Sequence, residues 1–173
     1  MKNTKNITFS AIMSALAAVI MLMAYFPYFT YAVPALAGLC VMAVLIEYGI
    51  KWSVLTYFCS AILTFLVAET ESKVIYIAFF GFYPILKCII EKLRMVVFEW
   101  ILKLLTFNFC VVVLFLVFSQ LGLITFEDRG IFLFSLVLLL LGNVVFVVYD
   151  FAISRLAQFY IYKFHPKVEK FLK

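Results

Sequence analysis

The sequence predicts an all-α integral membrane protein, a bundle of six transmembrane helices with both termini cytoplasmic. Three observations predict it. The 173 residues are 68% hydrophobic and only 13% charged, with mean hydropathy +1.18, whereas soluble domains carry about 25% charged residues. The apolar residues fall into six continuous stretches, each near the ~20 residues that cross a bilayer. They do not alternate with period two, so of the two spanning structures whose backbone is satisfied in lipid, helices and closed barrels, helices are selected. Finally, the basic residues between the stretches sort strongly by side. Six spans and short turns use up the length, so the chain reads as one domain over residues 1–173.

The first span is expected at about residues 7–26, after a basic start with Lys2 and Lys5. The second covers 32–46, entered through a turn containing Pro27 and Pro34, and the third covers 52–68. A polar loop, 69–73, leads to a fourth span over 74–90. In that span Pro84 has no N–H for the carbonyl of Phe80, and Gly81 lies beside the gap, so a kink is expected. Such a kink either lines a cavity or simply packs. The fifth span covers 100–124 and the sixth 131–152. A basic tail, 154–173, interleaves Leu156, Phe159, Tyr160, Phe164, Val168 and Phe171 with cations. It suits the anionic inner membrane surface, and equally the frayed end of the sixth helix.

This arrangement puts Lys2, Lys5, Lys51, Lys87, Lys92, Arg94, Lys103, Arg155, Lys163, Lys167, Lys170 and Lys173 on one side, and only Lys73 and Arg129 on the other. The excess marks the cytoplasmic face of a plasma-membrane protein and accounts for the net charge of +5 without nucleic acid. Ala35-Leu36-Ala37 resembles a signal-peptide cleavage site. The apolar stretch before it is too long for a signal core and Pro27 interrupts it, so the first segment is expected to stay. Cys40, Cys59, Cys88 and Cys110 lie in or beside apolar segments without a CxxC pair, which suits small apolar residues better than disulfides or zinc ligands. No metal site or cofactor is expected, and the sole histidine, His165, sits in the tail. Nucleophile triads, HExxH and phosphate loops are missing from the sequence, so catalysis is not expected.

Polar and small residues at membrane depth carry the functional candidates. Ala11, Ser14, Ala15 and Ala18 fall on one face of the first helix, and small residues four apart let helices approach closely, within this chain or with another. Lys87 with Glu91, and Glu99 with Lys103, stand four apart and are expected to pair near the cytoplasmic interface. Asn108, with Glu99 and Lys103 on another face, places the fifth helix inside the bundle. Asn143 and Asp150 share a face of the sixth. The two asparagines either join helices or touch a ligand. Candidate ligand contacts are Tyr28, Tyr76, Tyr83, Asn108, Gln120 and Asn143, with Glu69 and Glu71 at a rim; the aromatic turn 25–31 equally suits an interfacial belt.

Six spans in 173 residues, cytoplasmic ends and Ala11-xxx-Ala15 in the inner half of the first helix resemble the substrate-binding S components of energy-coupling factor vitamin transporters. The text Thr8-Phe9-Ser10-Ala11-Ile12-Met13-Ser14-Ala15-Leu16-Ala17-Ala18 is similar to the start of many such subunits. The resemblance implies capture of a vitamin-like small molecule from outside. It also implies partnership with a transmembrane coupling subunit and two cytoplasmic ATPases, with Ala11 and Ala15 facing the coupling subunit. Substrate would then sit in the outer half, between the first outer loop and the fourth to sixth helices. No substrate-specific motif accompanies it. The alternatives are a small non-transporting scaffold resembling rod-shape-determining proteins, or an orphan sharing only the fold.

Overall fold

The computed structural model describes residues 2–26, 28–93, 95–120 and 130–166; of Lys2, Asn3, residues 130–136 and Leu138 only the backbone is described. Among the described residues the chain is helical and has no strand. Its elements are α1 (Lys2–Leu22) with a 3₁₀ turn (Met23–Tyr25), α2 (Ala32–Tyr48), α3 (Ile50–Val67), α4 (Thr70–Ile75) with a π-helical turn (Tyr76–Phe80), α5 (Tyr83–Glu91), α6 (Val96–Gln120) and α7 (Gly130–Lys163). Among the described residues five helical stretches are long and apolar enough to cross a membrane: Thr4–Tyr25, Ile50–Val67, Thr70–Glu91, Val96–Gln120 and Leu139–Lys163. A sixth apolar helix, α2, is shorter, and its 17 residues reach about 26 Å against a hydrocarbon core of about 30 Å. The chain divides into two compact units, one of residues 1–89 with 153–173 and one of residues 90–152.

In the first unit α1 packs on α2 and α3, and α2 is the most enclosed helix, burying Val33, Pro34, Ala37, Gly38, Cys40, Val41, Met42, Ala43 and Val44. Pro34 is the third residue of α2, within the first helical turn, where a missing N–H costs nothing. The helices are amphipathic in the reverse of the soluble sense. On α3 the buried residues are Ser53, Thr56, Ser60 and Thr64, spaced as one helical face, while Leu55, Phe58, Ile62, Phe65 and Leu66 are exposed. On α1, Ser10, Ser14, Ala17, Ala18 and Met21 turn inward and Ile7, Ile12, Leu16, Val19 and Leu22 turn outward.

The buried hydroxyls bond backbone carbonyls. Ser14 Oγ donates to Ser10 at 2.8 Å and across to Thr56 at 3.2 Å; Ser53 Oγ reaches Val41 at 3.2 Å. Tyr25 Oη donates to the Val67 carbonyl at 3.1 Å, and Ser72 Oγ to that of Thr30 at 3.0 Å, tying the connections to the helix ends. Gly49 alone joins α2 to α3, with φ +81° and ψ −173°, a conformation open essentially to glycine. The expected gap between the second and third spans therefore closes to one residue, and Lys51 lies inside α3.

The interruption of regular helix expected at Gly81 and Pro84 is present, in the form of a π turn followed by a two-residue turn at 81–82. The Gly81 N–H reaches back five residues to Tyr76 O at 2.8 Å, and Tyr57 Oη donates to the Ile77 carbonyl at 2.8 Å. A Cβ at Gly81 would stand 2.8 Å from the Tyr57 ring, so this close approach requires glycine. Pro84 falls at the second position of α5, where helices accept proline.

Four expectations need correction. Residues 70–73 are not loop but the start of α4, with Glu71 in its first turn and Lys73 in its last, both favourable to the helix dipole. The helix of the sixth span does not end near residue 152: α7 continues to Lys163, so residues 154–163 of the tail are helical and continuous with it. Helix α6 is not enclosed all round: only Lys103 and Cys110 are buried, and Ile101, Leu105, Phe109, Val112 and Leu116 form an exposed row. Of the cysteines Cys40 and Cys110 are buried, while Cys59 is exposed. Residues 121–124 of the fifth span, Pro27, Arg94, Arg129 and residues 167–173 of the tail lie outside the described residues.

Replacing Gly81 with alanine forces the Tyr57 ring off the Ile77 carbonyl. We expect Gly81→Ala to destabilise the protein by about 1–3 kcal/mol, read as a lowered Tm in mild detergent. Tyr57→Phe, which removes only the hydrogen bond, should cost about 1 kcal/mol.

Candidate functional site

The second unit is organised by polar groups facing each other across α6 and α7. Asn108 and Asn143 exchange amide hydrogen bonds: Asn108 Nδ2 donates to Asn143 Oδ1 at 3.0 Å and Asn143 Nδ2 to Asn108 Oδ1 at 3.1 Å. Each Nδ2 also donates to the carbonyl one turn back, Leu104 and Leu139 respectively, at 2.8 Å. Nearer the N-terminal end of α6, the ammonium of Lys103 donates to Glu91 Oε1 at 2.8 Å and Asp150 Oδ2 at 3.1 Å, and lies 5.3 Å from the centre of the Trp100 ring. Between the two polar layers Phe107 stacks on Phe146 at 4.7 Å. Position numbers rise along α6 as their partners fall along α7, so the two helices run antiparallel.

Lys103 and Asp150 are both buried. A buried cation needs close opposite charge and full hydrogen bonding to offset its desolvation, and the two carboxylates meet that need. Lys103 thus pairs with Glu91 and Asp150 rather than with Glu99, its expected partner. The i,i+4 rule fails here because Glu99 sits in the first turn of α6, while Asp150 and Glu91 occupy the interior side of Lys103. Lys87, inside the expected fourth span, is likewise buried.

In the first unit Tyr76 and Tyr83 are fully buried. Tyr76 Oη and Ser60 Oγ share a hydrogen bond of 2.7 Å, and the Tyr83 ring packs on Phe79 at 4.8 Å. Tyr76 also belongs to a core of small side chains, Ala17, Ala24, Ala37, Cys40 and Ala68, with Met21 and Val33. Tyr28 stands apart from this cluster, almost wholly exposed and with φ +83°. Gln120 is exposed at the end of α6. Of the six candidate ligand contacts, the structure therefore brings Asn108 and Asn143 into direct contact and buries Tyr76 and Tyr83 around one π turn, with Tyr28 and Gln120 exposed. Glu69 keeps Oε2 buried without a hydrogen-bond partner among the described residues, as does Thr64 its Oγ1 on the inner face of α3.

Ala11 and Ala15 are exposed, one residue out of register with the buried Ser10 and Ser14. The face expected to hold Ala11, Ser14, Ala15 and Ala18 together is divided: Ser14 and Ala18 pack inward, and the two alanines look out.

Comparison of the chain with protein-family models, with curated proteins and with solved structures returns no match.

One polar pair was not anticipated from the sequence. The Glu47 side chain, 3% exposed at the end of α2, meets His165 Nδ1 at 3.1 Å from both carboxylate oxygens. The Tyr160 hydroxyl donates to the same carboxylate. The signal lay in two solitary features, an acid at the end of an apolar segment and the sole histidine, but 118 residues separate them.

The ion cluster and the amide pair should differ in energetic weight. Lys103→Met removes the ammonium from two carboxylates, and about 3 kcal/mol of stability should go with it. Asn108→Ala should cost about 1 kcal/mol. Equilibrium unfolding of the purified chain in mixed micelles measures both.

Proposed function

We propose that the chain is the substrate-capture subunit of a vitamin-like micronutrient uptake transporter in the plasma membrane, driven by separate ATPase subunits through a transmembrane coupling subunit. The observation that carries this reading is the outward position of Ala11 and Ala15. Alanines facing outward on α1, with Ile12, Leu16 and Val19 beside them, offer a flat strip on which another helix can approach closely. Burial of Ser10 and Ser14 on the opposite register leaves that strip free of duties inside the first unit.

The reading takes all six apolar helices as spans, with α2 the short one, and both termini as cytoplasmic. Lys87 and Lys103, both inside the expected spans, are buried, and without them ten basic residues remain on the inner side against two outside. The bias survives their omission. Helix α7, at 34 residues and about 51 Å, is longer than the bilayer core and extends into the cytoplasmic interface on this reading. A small molecule is the proposed substrate, and the orphaned acceptor at Glu69 supports ligand contact at the opposite, outer end.

The test is affinity purification from native cells in mild detergent, with mass spectrometry of proteins and small molecules. The reading expects a coupling subunit and paired ATPases with the wild type, and their loss with Ala15→Trp while the variant keeps the wild-type Tm and elution volume. Normal recovery of those partners by Ala15→Trp overturns the alanine strip as the docking face. Recovery of cell-wall or division proteins without ATPases favours the scaffold instead.

A further inference from the structure

Two contacts gather the start of α1, the junction of α2 with α3 and the last turns of α7 at one end of the first unit. The Phe9 ring of α1 meets Tyr48 of α2 at 5.4 Å, and His165, just past α7, meets Glu47 of α2 at 3.1 Å. Gly49 then places Lys51 in the first turn of α3. Lys5 on α1, Lys51 on α3, and Arg155 and Lys163 on α7 are all exposed. The acid of this end is not. The Glu47 side chain is 3% exposed, and it accepts from the Tyr160 hydroxyl as well as meeting His165. The other described acids of the unit, Glu69 and Glu71, lie beyond the opposite end of α3, whose 18 residues span about 27 Å.

The last turns of α7 have two different sides. Ile153 is buried and Ser154, Ala157 and Tyr160 are half-buried, facing the rest of the unit. The opposite side exposes Arg155, Phe159, Tyr162 and Lys163, with the Lys163 ammonium 5.2 Å from the Phe159 ring. Lys51 and Arg155 make no ion pair among the described residues. Residues 167–173 hold three lysines against one glutamate, so the excess of cations does not depend on where that segment lies.

The length of α7 decides which anion these groups meet. It is one unbroken helix from Gly130 to Lys163, about 51 Å long against a hydrocarbon core of about 30 Å. Its last turns therefore leave the hydrocarbon through the headgroup layer, where lipid phosphates are the nearest anions and exposed aromatic rings are at home. We propose that this end of the first unit is a docking surface for anionic phospholipid headgroups. Lys51, Arg155 and Lys163 supply the phosphate contacts, and Phe159 and Tyr162 supply the aromatic anchors. Topology alone needs only an excess of cations on one side. Retention of anionic lipid needs them grouped at one end with their acid withdrawn, which is the arrangement here. The proposal rests on the membrane reading of the chain and not on what it transports.

The test is native mass spectrometry of the purified full chain in mild detergent, titrated with equimolar phosphatidylglycerol and phosphatidylcholine of identical acyl chains. Each Lys or Arg near an anionic surface strengthens binding by about fivefold. The wild type should therefore carry phosphatidylglycerol about tenfold more often than phosphatidylcholine, a preference that weakens as ammonium acetate is raised. The combined variant Lys51→Gln/Arg155→Gln/Lys163→Gln should bring the ratio within about twofold at unchanged Tm and elution volume. Lys73→Gln, at the opposite end, should keep the wild-type preference. Equal uptake of the two lipids by the wild type overturns the proposal and leaves an acidic protein surface as the occupant of this end. An unchanged preference in the combined variant, or one lost equally in Lys73→Gln, overturns it as well. If the combined variant does not fold, the three single substitutions decide: each should lower the preference, and three wild-type ratios overturn the proposal.

Discussion

A polar group on a membrane helix has no water to fall back on, and this constraint orders the rest of the structure. In hydrocarbon each unsatisfied donor or acceptor costs several kcal/mol. The helices respond by turning their hydroxyls toward one another and toward neighbouring carbonyls, and by giving their large apolar side chains to the outside. Helix α3 shows the logic in one stretch: Ser53, Thr56, Ser60 and Thr64 are buried, while Phe58, Ile62 and Leu66 are not. Small inward residues have a second effect, since they let α1, α2 and α3 approach until contacts such as Ser14 to Thr56 become possible.

The same constraint explains why irregular backbone is found where it is. A π turn leaves a carbonyl without its usual helical donor, which would be expensive facing lipid. Here Tyr57 supplies the donor to Ile77, and Gly81 removes the side chain that would keep the Tyr57 ring away. In the second unit the problem is charge rather than backbone. Lys103 is held by two carboxylates drawn from different helices, and the two asparagines satisfy each other instead of waiting for a ligand. Reciprocal amide pairs and a buried ion cluster fix the register of α6 against α7 more narrowly than the leucine, valine and phenylalanine around them can.

Apolarity made the helices legible in the sequence, because lipid imposes one simple requirement over about 20 residues. Helix ends were harder to read, since they depend on local chemistry that hydropathy ignores. Residues 70–73 look like loop by polarity, yet acid before base gives α4 a favourable first and last turn. The inner stretch of α7 was cut short at residue 152 because charges begin there, although charged residues do not stop a helix outside the hydrocarbon. Gly81 and Pro84 announced the interruption of the helix through their chemistry, whereas the π turn needed Tyr57, which comes from another helix. Pairing was the least legible layer. Local spacing assigned Glu99 to Lys103, but Asp150, 47 residues away, has the interior position, and nothing in a single sequence links Glu47 to His165.

Ala11 and Ala15 pose a different question, because satisfaction of polar groups does not account for them. An alanine facing outward makes fewer contacts than leucine with lipid or with its own chain, and adjacent outward positions on α1 are filled by Ile12, Leu16 and Val19. Two alanines four apart create a shallow channel along the helix, and a channel gains nothing from fluid lipid tails that fill it as readily as they cover a ridge. It gains from a rigid surface that fits, whose backbone can then come within reach of weak Cα–H···O contacts. Ser10 and Ser14, one position earlier in the helix, use the same smallness on the inside to bring α3 close. The two strips of α1 are thus built alike, and among the described residues of the first unit only one of them has its neighbouring helix.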